Sequence, residues 1–220
     1  MWLKAASSNH RPGLIAKYFV DSADHLGGYP QHVRTDCGTE NNIMAAIQYL
    51  VANDASAHVY DTSPGNQRIE AWWSFFRRYR SQWWIDIFES LVEFGAFLPG
   101  CEKEVECLRY CFMDVVQKEL DEVRCEWNTH RIRPSQGARC PAGVPDELYF
   151  VLQPPVVNCL LSDVGDLPPE VLAELEGPQT CDSSDFQNYQ SYYVCGFNNW
   201  DRPTDHESAT QLYCNLINTV

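Results

Sequence analysis

Two carboxylates, Asp36 and Glu70, stand where paired acids could hold a divalent cation. Asp36 follows His32–Thr35, a short, partly β-branched segment that predicts a strand, and Glu70 lies 34 positions later in the first turn of a predicted helix over Gln67–Arg80. Mg²⁺ prefers oxygen ligands and keeps waters and substrate phosphates in its shell. Two such ions about 4 Å apart stabilise the attacking and leaving oxygens of an in-line phosphoryl transfer. Taken alone, the pair is only a weak indication of a hard-cation site, because a chain with 30 acids contains many comparable pairs and most carboxylates only solvate a surface.

Alternating strands and amphipathic helices lead up to these acids. Apolar residues recur at three- and four-residue spacing over Pro12–Leu26 before Gly27 and Gly28, which predicts a helix that ends at a glycine stop. The other elements predicted before Glu70 are strands at Trp2–Ala5, His32–Thr35 and His58–Tyr60 and a helix from Asn41 or Asn42 to Val51. Further helices are predicted over Gln67–Arg80, from a cap at Ser81, over Cys101–Trp127, and over Asp205–Ile217 with a capping box of Thr204 and Glu207. The order β, α, β, α, β indicates an α/β fold, and residues 128–150 fit an ordered loop.

Three segments resemble those around the acids of retroviral-type integrases and related transposases. Residues 34–41, RTDCGTEN, resemble the strand end that carries the family's second acid, and residues 63–70, SPGNQRIE, resemble the loop and helix start that carry its third. Residues 126–131, EWNTHR, with PAGVP at 141–145, resemble the segment that closes the same core. More narrowly, GNQRIEAWW from residue 65 and QWW from residue 82 resemble stand-alone, transposon-derived integrase-core proteins of animals.

The resemblance covers about residues 2–152 and implies a ribonuclease-H-like mixed sheet flanked by helices, in which three acids meet. It starts at the family's third strand, so the first two strands and the first catalytic Asp are expected before Met1. Asp36 and Glu70 would be the remaining catalytic and metal-binding acids, for Mg²⁺ or Mn²⁺. A polynucleotidyl transferase is therefore implied with an incomplete site. A fragmentary gene model and a degenerate element both remain open.

DNA is the partner that the resemblance implies. Asn66 and Arg68 would orient DNA or hydrate the metal beside Glu70. Arginines on or beside the same helix could neutralise phosphates, and a solvated helix face is an equally weighted alternative for them. The residues expected to bind nucleic acid are Asn66, Arg68, Arg77, Arg78 and Arg80. The neighbouring tryptophans at helical spacing favour a core or interface role over base stacking.

Acidity is concentrated in the C-terminal part of the chain. Residues 1–140 carry 15 basic and 18 acidic side chains, whereas residues 141–220 carry Arg202 against 12 acids. This division predicts a partial integrase-core-like domain over 1–152, with a helical segment, and an acidic, irregular, Pro-containing tail over 153–220 that ends in a short helix. The alternative to a DNA-processing enzyme is a non-catalytic, transposon-derived module that binds nucleic acid or protein.

Composition constrains the cellular setting. The sequence contains no uninterrupted run of eighteen apolar residues, which would be needed to indicate a membrane span. The N-terminus lacks the pattern of a secretory signal. The ten cysteines are scattered without a CxxC pair, which favours reduced thiols over disulfides or zinc. We therefore expect a nuclear or cytoplasmic protein that is not secreted and has no membrane partner, with a homo-oligomer left open.

Overall fold

The computed structural model describes residues 3–61, 67–134, 141–151, 156–157, 168–176 and 195–219. Within these residues the fold is mostly α-helical and contains two small two-stranded sheets. The strands are β1 (Tyr29–Pro30), β2 (Val33–Thr35), β3 (His58–Tyr60) and β4 (Val156–Val157). The helices are α1 (Pro12–Leu26), α2 (Asn42–Ala52), α3 (Gln67–Phe76), α4 (Gln82–Glu93), α5 (Glu102–Thr129), α6 (Pro145–Val151), α7 (Pro169–Glu176), α8 (Gly196–Asn198) and α9 (His206–Ile217). A 3₁₀ turn at Thr39–Asn41 precedes α2, and a π-helical stretch at Arg77–Ser81, the π segment, joins α3 to α4.

Two compact units divide the chain. The first contains α1, β1, α2, α5 from Val116 onward, α6, β4 and α7. Its core joins one face of α1 to one face of α2, where Ala16 and Ile47 are fully buried, and Leu175 of α7 packs into the same cluster. Gly27 ends α1 in the left-handed conformation with φ of 74°, which a residue without Cβ adopts at low cost. The predicted helix and its glycine stop are therefore confirmed.

Segments from the acidic C-terminal part contribute to this first unit. β4 pairs antiparallel with β1, with Tyr29 opposite Val157 and Pro30 opposite Val156. The prediction that only Asp205–Ile217 is helical after residue 152 is wrong, because α7 and α8 are helices too. Both helices are short, so they contain too few apolar residues to give a clear helical periodicity. The domain boundary at residue 152 stays a prediction.

The second unit is built on aromatic packing between helices. It contains α3, the π segment, α4, α5 up to Val115, α8 and α9. Phe112 of α5 meets Phe88 of α4 edge to face at 5.2 Å between ring centroids, and the fully buried Tyr213 of α9 donates its hydroxyl to the Ala96 carbonyl. Arg202, just before α9, lies over the Tyr110 ring at 4.0 Å. The C-terminal helix is therefore part of this unit's core.

Several predicted boundaries need correction. Leu3–Ala5, the described part of the first predicted strand, is not a strand, because its backbone finds side-chain partners instead, including the Gln117 amide. Ser81 does not cap a helix, since the chain stays helical through it. The box at the start of α9 is formed by Asp205 and Ser208, one residue later than predicted. The predicted loop over 128–150 includes the end of α5 and most of α6.

Candidate metal and nucleic-acid site

The first proposed acid, Asp36, lies at the end of a parallel pair of strands, β2 and β3. The Val33 N–H donates to the Ala57 carbonyl over 2.8 Å, and the Asp61 N–H donates to the Thr35 carbonyl over 2.8 Å, so both strands advance in the same direction. Parallel strands bring their carboxyl ends to one edge. Asp36 directly follows β2 and is exposed to solvent. Its place at a strand end matches the expectation, and its role as a ligand stays a prediction.

A second acid stands at this edge. Asp61 directly follows β3, and its carboxylate forms an ion pair with the Arg34 guanidinium at 3.2 Å. The Arg34 side chain is 56% exposed and that of Asp61 is 29% exposed. The sequence interpretation did not single out Asp61, although its position at the end of a predicted strand was a usable signal. The ends of both strands therefore carry an acid, and the Arg34 guanidinium is paired with the one at Asp61.

Glu70 stands on the other element of the predicted site, in the first turn of α3. Its side chain is exposed, and the Ser74 hydroxyl donates to its backbone carbonyl over 3.0 Å. A carboxylate in the first turn is stabilised by the unpaired N–H groups of the helix start. Asp36 and Glu70 belong to the same compact unit. Asn66 and the Arg68 side chain lie outside the described residues.

The three arginines after α3 occupy the π segment. Arg77 and Arg78 are exposed, and Arg80 is half-buried. An i→i+5 turn rotates the helix that follows by roughly one residue, a feature that often marks functional sites. The arginine cluster therefore lies on a local irregularity of a helix that otherwise runs without interruption from Gln67 to Glu93.

Tryptophans before and after the π segment divide into two classes. Trp72 and Trp84 are buried, and Trp72 stacks on Phe76 at 5.2 Å between ring centroids. Trp73 is 47% exposed and Trp83 is 45% exposed. The core interpretation therefore fits the first two residues, while the other two keep an accessible aromatic face.

Comparison with known families adds a separate line of evidence. Residues 1–150 match the family model described as integrase core domain. The chain belongs to the integrase core domain family. No curated protein and no solved structure gives a significant match. Membership supports an integrase-like or transposase-like function in broad terms and suggests DNA as a partner.

Integrase core domains typically use divalent metals, so the donor set of this integrase-core chain matters. Among the residues that the structure describes, no group of three or more His, Cys, Asp or Glu side chains is placed to hold a metal ion. A site made by Asp36 and Glu70 would have two protein ligands. Both are hard oxygen donors, which suit Mg²⁺ or Mn²⁺ with water and phosphate in the remaining positions.

The thiols of the second unit lie in apolar surroundings. Burial, reinforced by nearby charged groups, raises the pKa of Cys107 to about 11. Burial raises the pKa of Cys111 even further, and neither Cys107 nor Cys111 is in a disulfide. These thiols remain protonated at neutral pH and behave as small apolar side chains.

No helix in the described parts of the chain combines the length and apolar character needed to cross a bilayer.

Proposed function

We propose that this integrase-core chain is a transposon-derived protein with a ribonuclease-H-like core that binds DNA and places a divalent cation between Asp36 and Glu70. The observation that carries the proposal is the placement of the two acids: one directly follows β2, and the other lies in the first turn of α3, the next described helix after β3. This arrangement suits cleavage and joining of DNA strands, the chemistry of integrases and transposases. The free thiols favour a nuclear or cytoplasmic location.

The chain's own residues would do three things. The Asp36 and Glu70 carboxylates would hold the cation, and the exposed Arg77 and Arg78 would pair with backbone phosphates. Bound Mg²⁺ would lower the pKa of a coordinated water or 3′-hydroxyl and neutralise charge on the phosphorus oxygens. Trp73, with its partly exposed ring, would stack on an unpaired base.

Two carboxylates are fewer than the three that the family assembles. We therefore expect the 220 residues to bind the cation weakly and to lack strand-cleaving activity, since an incomplete ligand set misplaces the nucleophile. DNA binding needs phosphate contacts rather than the cation, so it should persist.

A second candidate function is a non-catalytic nucleic-acid-binding or protein-interaction module. It is favoured by exposed aromatic rings beside the arginines, because Phe75 and Tyr79 are 50% and 62% exposed and contact each other at 4.8 Å between ring centroids. A surface of this kind acts without a metal. The two functions differ in whether a divalent cation binds at Asp36 and Glu70.

Fluorescence anisotropy with a labelled DNA duplex tests the DNA part. The variant Arg77→Gln/Arg78→Gln should bind more weakly, and the slope of log affinity against log salt concentration should fall by up to about 2, since each lost phosphate contact removes about 0.9. The control Arg11→Gln/Lys17→Gln removes the same charge from the first unit and should keep the slope. Equal slopes for all three proteins would reject the arginine contacts.

Calorimetric titration with Mn²⁺ tests the metal part. The wild-type chain should release or absorb heat on binding, and Asp36→Asn should abolish that signal. The control Glu89→Gln, an exposed carboxylate on α4, should retain it. Binding that survives in Asp36→Asn would leave the module as the better function.

A further inference from the structure

The carboxyl ends of β2 and β3 are joined twice. A backbone bond runs from the Asp61 N–H to the Thr35 carbonyl over 2.8 Å. A side-chain ion pair links Arg34 to Asp61 with 3.2 Å between Nη1 and Oδ2. The two ion-pair partners are 27 positions apart in sequence. The fold alone therefore brings them together.

The register places this ion pair beside Asp36. In a parallel ladder, a residue whose carbonyl accepts from residue j lies opposite residue j−1. Thr35 accordingly lies opposite Tyr60, and the next pair along the edge is Asp36 beside Asp61. Neighbouring strands are about 4.8 Å apart, so the ion pair stands within one strand spacing of the backbone that carries Asp36.

The ion pair is too exposed to act mainly on global stability. With Arg34 56% exposed, water and salt screen most of its attraction to Asp61. Its geometric effect is local, because it fixes two strand ends at the point where the ladder stops. Beyond β3 the sequence continues to the helix that carries Glu70.

We infer that Arg34 and Asp61 form a positioning pair for the cation site, holding the backbone that carries Asp36 against the end of β3. The inference rests on the proposed function, because it assigns the ion pair to the site at Asp36 and Glu70. In this arrangement the Asp61 carboxylate is paired with Arg34 and helps to hold the backbone of Asp36 in place, while Asp36 supplies the ligand oxygen. Groups that orient metal ligands in this way commonly change affinity when they are removed.

Charge and positioning predict opposite signs for one substitution. Arg34→Gln removes a positive charge near the site, which by electrostatics alone should strengthen cation binding. Loss of positioning should instead weaken Mn²⁺ binding about 10-fold, in the range found for groups that support metal ligands. Arg34→Lys keeps the charge and the reach to Asp61, so it should remain within about 3-fold of wild type.

The experiment combines Mn²⁺ titration with hydrogen exchange of the Asp61 amide measured by NMR. Arg34→Gln and Asp61→Asn should both weaken Mn²⁺ binding and speed exchange at Asp61, and the exchanged pair Arg34→Asp/Asp61→Arg should restore both. Lys17→Gln is the matched control, because it removes an ion pair of the same 3.2 Å length from α1. It should change neither measurement.

Each contrary outcome has a separate meaning. If wild type and Asp36→Asn bind Mn²⁺ equally or not at all, the proposed cation site fails, and with it the positioning role. If wild type binds and Arg34→Gln binds as tightly or more tightly, the positioning inference alone is overturned. Unchanged exchange at the Asp61 amide in Arg34→Gln also overturns it, whatever the metal does.

Discussion

Replacement of Arg202 by Met tests whether the chain before α9 is anchored to α5. The guanidinium donates to the Tyr110 carbonyl at 3.2 Å, pairs with the Asp114 carboxylate at 3.3 Å and lies 4.0 Å from the centroid of the Tyr110 ring. Methionine replaces the apolar stem of the arginine side chain but makes none of its three polar contacts. The substitution therefore measures the anchor without leaving a large cavity.

The three contacts set the expected loss. A hydrogen bond from a charged donor contributes about 1.5 kcal/mol. A cation–π contact at a partly exposed site adds about 0.5 kcal/mol, and an exposed ion pair adds about 0.5 kcal/mol or less. Because the Arg202 side chain is 46% exposed, we take the lower values, which gives a decrease of about 2 kcal/mol in the free energy of unfolding.

Urea unfolding followed by circular dichroism provides the measurement. In thermal unfolding, the same decrease of about 2 kcal/mol corresponds to a fall of about 4 to 8 °C in Tm for a chain of this size. Asp114→Asn removes only the ion pair and should cost about 0.5 kcal/mol or less. A free energy of unfolding for Arg202→Met that equals that of wild type would refute the anchor and the energies assigned to it.

Three other predictions concern the core, pH and thiols. Ile47→Ala, at a fully buried position, should lower the free energy of unfolding by about 2 to 5 kcal/mol in urea titration, and a smaller loss would contradict the tight packing of α1 and α2. Burial lowers the pKa of His58 below 6.5. The neutral form of His58 is therefore favoured on folding. Its contribution to the free energy of unfolding should be fully present above pH 6.5 and should be lost as pH drops through the folded-state pKa, so Tm should fall over that range. His58→Asn should reduce this fall in Tm. A thiol reagent should modify the exposed Cys37 at once and reach Cys107 and Cys111 only on unfolding, and equal rates under native conditions would contradict their burial.

The helices with strong apolar periodicity were predictable, and short elements were not. α1 was found with its bounds, since a proline start, a regular apolar stripe and Gly27 all agree. The break at Ser81 was wrong because a π turn keeps the chain helical without any compositional signal. β4 has two residues and gains its pairing from β1, which local sequence does not reveal. Tertiary contacts decide elements of that length.

The candidate site divides in the same way. The strand end at Asp36 and the helix start at Glu70 could be read from neighbouring residues and from the family resemblance. The ion pair of Arg34 with Asp61 could not, because it depends on the register of two strands whose contact is set by the fold. The division of the tryptophans into buried and exposed rings likewise depends on which helices face each other.

A double-mutant cycle of Mn²⁺ affinity tests the central claim most directly. Asp36→Asn, Glu70→Gln and the double variant are titrated beside the wild-type chain. If both carboxylates hold one ion, each single substitution loses most of the affinity, and the double variant loses no more than the larger single loss. Two losses that simply add, or no loss in either single variant, would contradict a shared cation.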